Sequence, residues 1–181
     1  LLNCGTDSAG YRFPVYLTAW GSGMNALNSY LMIPFIAMFG LEVWVIRLPQ
    51  LIVACLTLPA VYGVVRRLSG RPTALTAMLL LAICPWHIML ARWGLESNLA
   101  PGFLVFGLYF FLRALEDESF LMLSAAMYGV SLYCYATVWP FVPLIILLQC
   151  VHAIRTKRLK FSACAIVSLL ILAIFALPLL L

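Results

Sequence analysis

Long apolar runs broken by short polar punctuation organise this chain. Runs occupy residues 24–40, 41–68, 73–90, 99–115, 119–138 and 139–154, and a last one begins at Phe161. An α-helix needs about 20 apolar residues to cross a bilayer core, so the pattern predicts about six transmembrane helices with short connections. The stretch 24–40 is short and interrupted by Pro34, which predicts a juxtamembrane or re-entrant segment that does not cross. The step Trp139-Pro140 is expected to separate two runs, because proline cannot donate the helix hydrogen bond. Residues 1–23 mix turn formers with aromatics, which suits an ordered surface loop better than a flexible linker. The expected organisation is one transmembrane region over 1–181. Residues 1–40 form an external loop and juxtamembrane segment, and 41–181 form the helices. The chain starts without methionine and stops inside an apolar run, so a fragment of a longer protein is expected.

Composition turns this pattern into a class. Hydrophobic residues make up 65% of the 181, with a mean hydropathy of +1.08, where a soluble domain is about 45–50% apolar. The fold class is therefore an all-α integral membrane protein, a polytopic helical bundle. The net charge of +5 does not signal nucleic acid, because the basic residues form no single patch with interleaved aromatics. Arg66, Arg67, Arg71, Arg113, Arg155, Lys157, Arg158 and Lys160 instead fall in three loops that alternate with the loops at 91–98 and 136–141. Positive-inside counting places the three basic loops in the cytoplasm and the other two on the outer face of a cell membrane. None of the six cysteines forms a Cys-x-x-Cys pair. Five lie in apolar runs and read as small membrane hydrophobes, while Cys4 sits in the polar segment and stays open.

Charge is scarce, at 9% of residues, so an ionisable cluster between two membrane runs is a functional candidate by default. That cluster is Pro85-Trp86-His87-Ile88-Met89-Leu90-Ala91-Arg92-Trp93-Gly94-Leu95-Glu96-Ser97-Asn98. Two readings stand side by side. In one, Arg92 binds a phosphate or pyrophosphate through its planar donor fork, and Glu96 orients it or contacts a polar substrate. In the other, the two residues share a helix face as an i,i+4 pair and fix the loop, with Trp86 and Trp93 as interfacial anchors. His87 lacks a second ligand at metal spacing and reads as structural. Asp7 and Arg12 lie in the polar segment, where an aspartate in a Gly/Ser turn usually caps it. Arg47, at a helix start before Leu48-Pro49, sits at the wrong end of the helix dipole, so either Glu42 or a bound anion must offset it. Tyr128, Tyr133, Tyr135 and Trp139 approach the outer face as sugar-stacking residues or as an aromatic belt; Tyr128 and Tyr135 are expected to align on one helix face. No nucleophile elbow, phosphate-binding Gly loop or metal motif occurs.

The order of the motifs carries more. Gly5-Thr6-Asp7-Ser8-Ala9-Gly10-Tyr11-Arg12-Phe13-Pro14-Val15-Tyr16 is followed by Tyr30-Leu31-Met32-Ile33-Pro34, Phe39-Gly40-Leu41-Glu42 and Arg47-Leu48-Pro49. Then come Arg66-Arg67-Leu68-Ser69-Gly70, the Pro85…His87…Arg92…Glu96 passage and Tyr133-Cys134-Tyr135. Over roughly residues 3–145 this succession resembles bacterial GT-C glycosyltransferases related to dolichyl-phosphate-mannose protein mannosyltransferases. The resemblance implies a GT-C helical bundle that transfers a sugar from a polyprenyl-phosphate donor to a glycan, lipid or protein acceptor on the non-cytoplasmic face, with no cofactor and no metal. It implies Glu96 as a second catalytic carboxylate with Arg92 as its neighbour, Arg47 as the family arginine and Asp7 as the loop aspartate. His87, Tyr133 and Tyr135 join the arginines as candidate contacts to substrate or phosphate. The family's catalytic base lies in an Asp-Glu pair upstream of the Gly-x-Asp run and is expected before Leu1. Where many relatives have Lys-Pro-Pro or His-Pro-Pro, this chain has Ala26-Leu27-Asn28-Ser29. Alternatives from other classes are a transporter or lipid-carrier flippase, and a non-catalytic membrane scaffold.

Overall fold

The computed structural model describes residues 10, 12, 14–19, 22–156 and 163–180. A β-hairpin opens it, β1 (Tyr16–Ala19) pairing antiparallel with β2 (Ser22–Asn25) in the register Tyr16↔Asn25. Among the described residues eight helices follow: α1 (Leu27–Phe39), α2 (Val43–Ser69), α3 (Arg71–Ile83), α4 (Pro85–Arg92), α5 (Ala100–Ala114), α6 (Phe120–Leu132), α7 (Val138–Arg155) and α8 (Ala163–Leu180). A 3-10 turn, Glu96–Leu99, leads directly into α5. This is an all-α membrane bundle.

Among the described residues, three helical segments are long and apolar enough to cross a membrane alone: Val43–Ser69, Glu96–Ala114 and Val138–Arg155. The pair α3 and α4 makes a fourth if it is one broken span; α1, α6 and α8 are shorter apolar helices. The break has a local cause. Pro85 disfavours helical geometry at the residue before it, Cys84 is extended at φ −65° and ψ 118°, and the axis turns by 56°. The run 73–90 that reads as one segment in the sequence is thus two helices at an angle. The break predicted at Trp139-Pro140 lies earlier, in the turn 133–137. Pro140 falls in the first turn of α7, where N–H groups have no helical partner to lose.

Side-chain contacts define the two ends of the bundle. At one end Arg67 reaches Glu116, in the loop between α5 and α6, with Nε 3.6 Å from Oε1, and its guanidinium lies 5.2 Å from the Tyr109 ring centroid. Leu68 of α2 and His152 of α7 line one groove at this end, so the last turns of α2 and α7 lie together. The loop is braced by Asp117, which accepts the backbone N–H and the hydroxyl of Ser119; those bonds hold its carboxyl below the usual range. At the other end the hairpin, the start of α1, the segment 93–98 and the turn after α6 meet. From α2 to α8 the chain runs back and forth between these ends.

α1 behaves differently. It starts beside Gly94, where Asn28 donates to the Gly94 carbonyl at 3.2 Å, and finishes with Phe39 packed on Trp44, ring centroids 5.4 Å apart. Trp44 is in the first turn of α2, so both ends of α1 belong to the hairpin end.

Two buried clusters hold the bundle. Leu99, Ala100, Tyr128, Leu132, Cys134, Val138 and Val142 form the larger, and Val64, Phe111, Leu112 and Ala153 the smaller. With lipid outside as apolar as leucine, helices in a membrane associate by close van der Waals approach across small residues. Gly107 does this: a Cβ there would come within 2.5 Å of the Tyr128 ring. The buried Tyr128 hydroxyl accepts from the Gln149 amide of α7, which ties α6 to its neighbour. Sequence spacing put Tyr128 on a shared helix face with Tyr135; α6 ends at Leu132, so Tyr135 sits in the turn and Tyr128 in the core.

Candidate functional site

The segment 93–98 is where the expected site residues are held, and its shape follows from the end of α4. Helix α4 stops at Arg92, Trp93 is extended, and the chain re-enters helical geometry only at Glu96. Arg92 and Glu96 therefore do not share a helix face. Among the described residues the ion pair present is Arg67–Glu116, at the opposite end of the bundle, so the reading of Arg92 and Glu96 as a loop-fixing salt bridge is overturned.

Arg92 instead lines an open groove of about 550 Å³ with Arg47, Pro85, Ile88, Met89 and Trp93. Arg47 is in the second turn of α2, and Glu42 at the helix start makes no capping bond. Among the described residues no carboxylate lines the groove. Two guanidiniums thus face one space whose remaining walls are exposed apolar side chains. Such a groove offers charge-assisted donors to an anion and contact area to a hydrocarbon chain.

Glu96 is half-buried, and its carboxylate lies close to the backbone N–H of Asn25 at the end of β2. The end of the hairpin therefore lies against the loop that follows Arg92. Ala26 N–H bonds to the Val15 carbonyl at 3.0 Å and closes the hairpin, and the Tyr30 hydroxyl donates to the Pro14 carbonyl at 2.9 Å.

Three side-chain amides meet the loop. Asn28 donates to the carbonyl of Gly94 at 3.2 Å, and Gln50 to that of Leu95 at 2.7 Å. Asn98 donates to Leu90 at 3.2 Å and to Trp93 at 2.8 Å. Asn28 and Gln50 are 6% and 2% exposed, and among the described residues the Oδ1 and Oε1 of these two side chains have no hydrogen-bond partner. A buried acceptor left in that condition costs about 1–3 kcal/mol. Asn98 closes the polar stretch that the sequence marks and Asn28 lies in the Ala26-Leu27-Asn28-Ser29 passage, but the sequence assigns none of these amides a role. The available signal was an uncharged polar residue inside a strongly apolar run, as Gln50 is between Pro49 and Leu51.

The other candidates are dispersed. His87 is on α4 but points away from the arginine groove, into a small space of about 30 Å³ shared with Gln50, Thr57 and Asn98. Tyr133 lines a separate cavity of about 480 Å³ between the hairpin end, α6 and α8, together with Pro14, Tyr30 and Phe175. Its hydroxyl donates to the Phe175 carbonyl at 2.8 Å. Burial first, and then nearby Tyr16, push the Tyr133 pKa up, so this hydroxyl stays a donor at neutral pH. Tyr135 is exposed in the turn and lines none of these cavities. Asp7 lies outside the described residues. Among the described residues no cluster of three or more His, Cys, Asp or Glu is placed to hold a metal ion.

Residues 26–180 match the family model of dolichyl-phosphate-mannose-protein mannosyltransferases, which takes in every helix from α1 to α8. No curated protein and no solved structure matches the chain. The hairpin and the Gly-x-Asp run precede the matched range, and the match continues past the last motif legible in the sequence. A family match of this length, over an apolar helical bundle, shows that the chain belongs to the dolichyl-phosphate-mannose-protein mannosyltransferase family, a family of membrane glycosyltransferases.

Proposed function

We propose that this protein transfers a sugar from a polyprenyl-phosphate donor to an acceptor on the non-cytoplasmic face of the cell membrane. The observation that carries the reading is the meeting of Arg47 and Arg92 in one open groove walled by Ile88, Met89 and Trp93. A lipid-linked phosphate is amphipathic in the same way, an anion on an apolar chain. Breaking the sugar–phosphate bond leaves charge on the departing phosphate, and fixed guanidiniums stabilise that charge as it develops. Arg47 and Arg92 take this role. Glu96, on the loop directly after Arg92, is the second carboxylate and faces the acceptor side with the hairpin. The incoming hydroxyl attacks the anomeric carbon, its proton passes to a carboxylate base, and polyprenyl phosphate leaves. His87 supports α4 from behind, and Tyr133 and Tyr135 border the acceptor side. The basic end of the bundle, with Arg66, Arg67, Arg113 and Arg155, faces the cytoplasm. In this arrangement α1 is a juxtamembrane helix, and the six passes from α2 to α8, with α3 and α4 as one, are the transmembrane spans.

The test uses the full-length protein in membranes supplied with polyprenyl-phosphate mannose, following release of polyprenyl phosphate. Arg92→Ala and Arg47→Ala are each expected to lower turnover on the order of 100-fold, as loss of a charge-stabilising donor does. Arg→Lys at either site keeps charge but not the fork and is expected to recover only part of it. Wild-type turnover in both alanine variants would overturn the assignment. Movement of the intact lipid across the bilayer without sugar release would favour the carrier reading instead.

A further inference from the structure

The amides of Asn28 and Gln50 have a feature that simple space filling does not explain. Each donates one hydrogen bond to the 93–98 segment, to consecutive carbonyls, from two different helices. Each also leaves its own carbonyl oxygen buried with no partner among the described residues. A methionine or leucine of similar size would fill the same volume without burying that acceptor. In the stability balance the hydrogen bond gained and the acceptor stranded largely offset one another. What the amide alone supplies is a fixed point of attachment on the loop. Gln50 lies one helical turn beyond Arg47 on α2, so its bond to Leu95 links the residue before Glu96 to the helix that carries one of the two groove arginines. Asn28 holds Gly94 from α1, three residues after Asn25, the hairpin residue whose backbone N–H lies beside the Glu96 carboxylate.

We propose that Asn28 and Gln50 are positioning residues for the sugar transfer, holding residues 93–96 so that the Glu96 carboxylate keeps its place relative to the Arg47/Arg92 groove. This rests on the transferase reading above. Neither amide touches substrate in this scheme; both act through the backbone of Gly94 and Leu95. Asn98 fastens the same segment to the last turn of α4, so Arg92 keeps its position when the other two amides are removed.

The test substitutes Gln50→Met and, separately, Asn28→Leu in the full-length protein, each with and without a Ser97→Cys reporter in a background lacking the native cysteines. Three quantities are measured: thermal unfolding in detergent, the rate of Ser97→Cys labelling by a membrane-impermeant maleimide without donor, and kcat and KM for polyprenyl-phosphate mannose. The expected result is an unfolding temperature near that of wild type and faster labelling. It includes a fall in kcat on the order of tenfold or more with donor KM nearly unchanged, since small misplacements of reacting groups are costly. A role in stability alone would lower the unfolding temperature and leave the kcat-to-KM split untouched. Unchanged labelling in both variants overturns the proposal, and so does faster labelling with unchanged kcat. If wild-type protein releases no polyprenyl phosphate while labelling accelerates in the variants, the transferase reading fails and the attachment of the loop stands by itself.

Discussion

Gly107 and Gly40 show how differently one residue type can matter here. At Gly107 an added Cβ meets the Tyr128 ring within 2.5 Å, and that ring is 1% exposed and held by Gln149. The ring cannot swing aside, so Gly107→Val is expected to destabilise by about 1–3 kcal/mol or more. At Gly40, φ is +81° with ψ 177°, a region essentially reserved for glycine, and nothing lies within 4 Å of a new Cβ; Gly40→Ala is expected to cost only the backbone strain, about 1–3 kcal/mol. Thermal unfolding in detergent checks both. Tyr128→Phe strands the Gln149 amide in the core and is expected to cost about 1–3 kcal/mol; an unfolding temperature equal to that of wild type would mean that Gln149 finds another partner. At this scale the sequence was a fair guide to which residues are unusual and a poor one to their partners. Arg92, Glu96 and Arg47 stand out because charge is rare in apolar surroundings. That Arg92 meets Arg47 and not Glu96 depends on where α4 ends, which a four-residue spacing does not reveal.

Among the elements, the bend at Cys84-Pro85 governs the groove. It turns α4 by 56° from α3 and presents Pro85, Ile88, Met89 and Arg92 along one wall. Pro85→Ala removes the steric conflict that imposes the break. It is expected to leave the unfolding temperature equal or higher while raising KM for polyprenyl-phosphate mannose several-fold, because a straighter α3–α4 carries Arg92 away from Arg47. Higher stability with an unchanged KM would show that the groove does not depend on the bend. Proline placement was legible in the chain, and its consequence was only partly so. Pro85 marks a helix break, although Pro59 in the middle of α2 leaves its helix continuous, so a proline within an apolar run does not by itself predict a break. Pro140 breaks nothing because it falls in a first turn, where the missing N–H has no partner to lose.

For the whole molecule, the contacts Arg67–Glu116 at one end and Asn28–Gly94 at the other define two faces. Right-side-out vesicles are expected to show a cysteine at Ser97 labelled by an impermeant maleimide and one at Ser69 protected. The reverse pattern would invert the proposed orientation and remove the acceptor face from the outside. Hydropathy and loop charge, which are sums over neighbouring residues, determined from the sequence alone that this is a polytopic helical membrane protein and which loops share a side. The order of its motifs pointed to the family that residues 26–180 belong to. Only the tertiary structure decided that Arg47 joins Arg92, that the end of the hairpin lies beside Glu96, and that Asn28 and Gln50 reach the loop between them. Each of these contacts joins segments far apart in the chain through a helix bend or a buried amide, and apolar periodicity carries no record of which polar group a helix will meet when it packs.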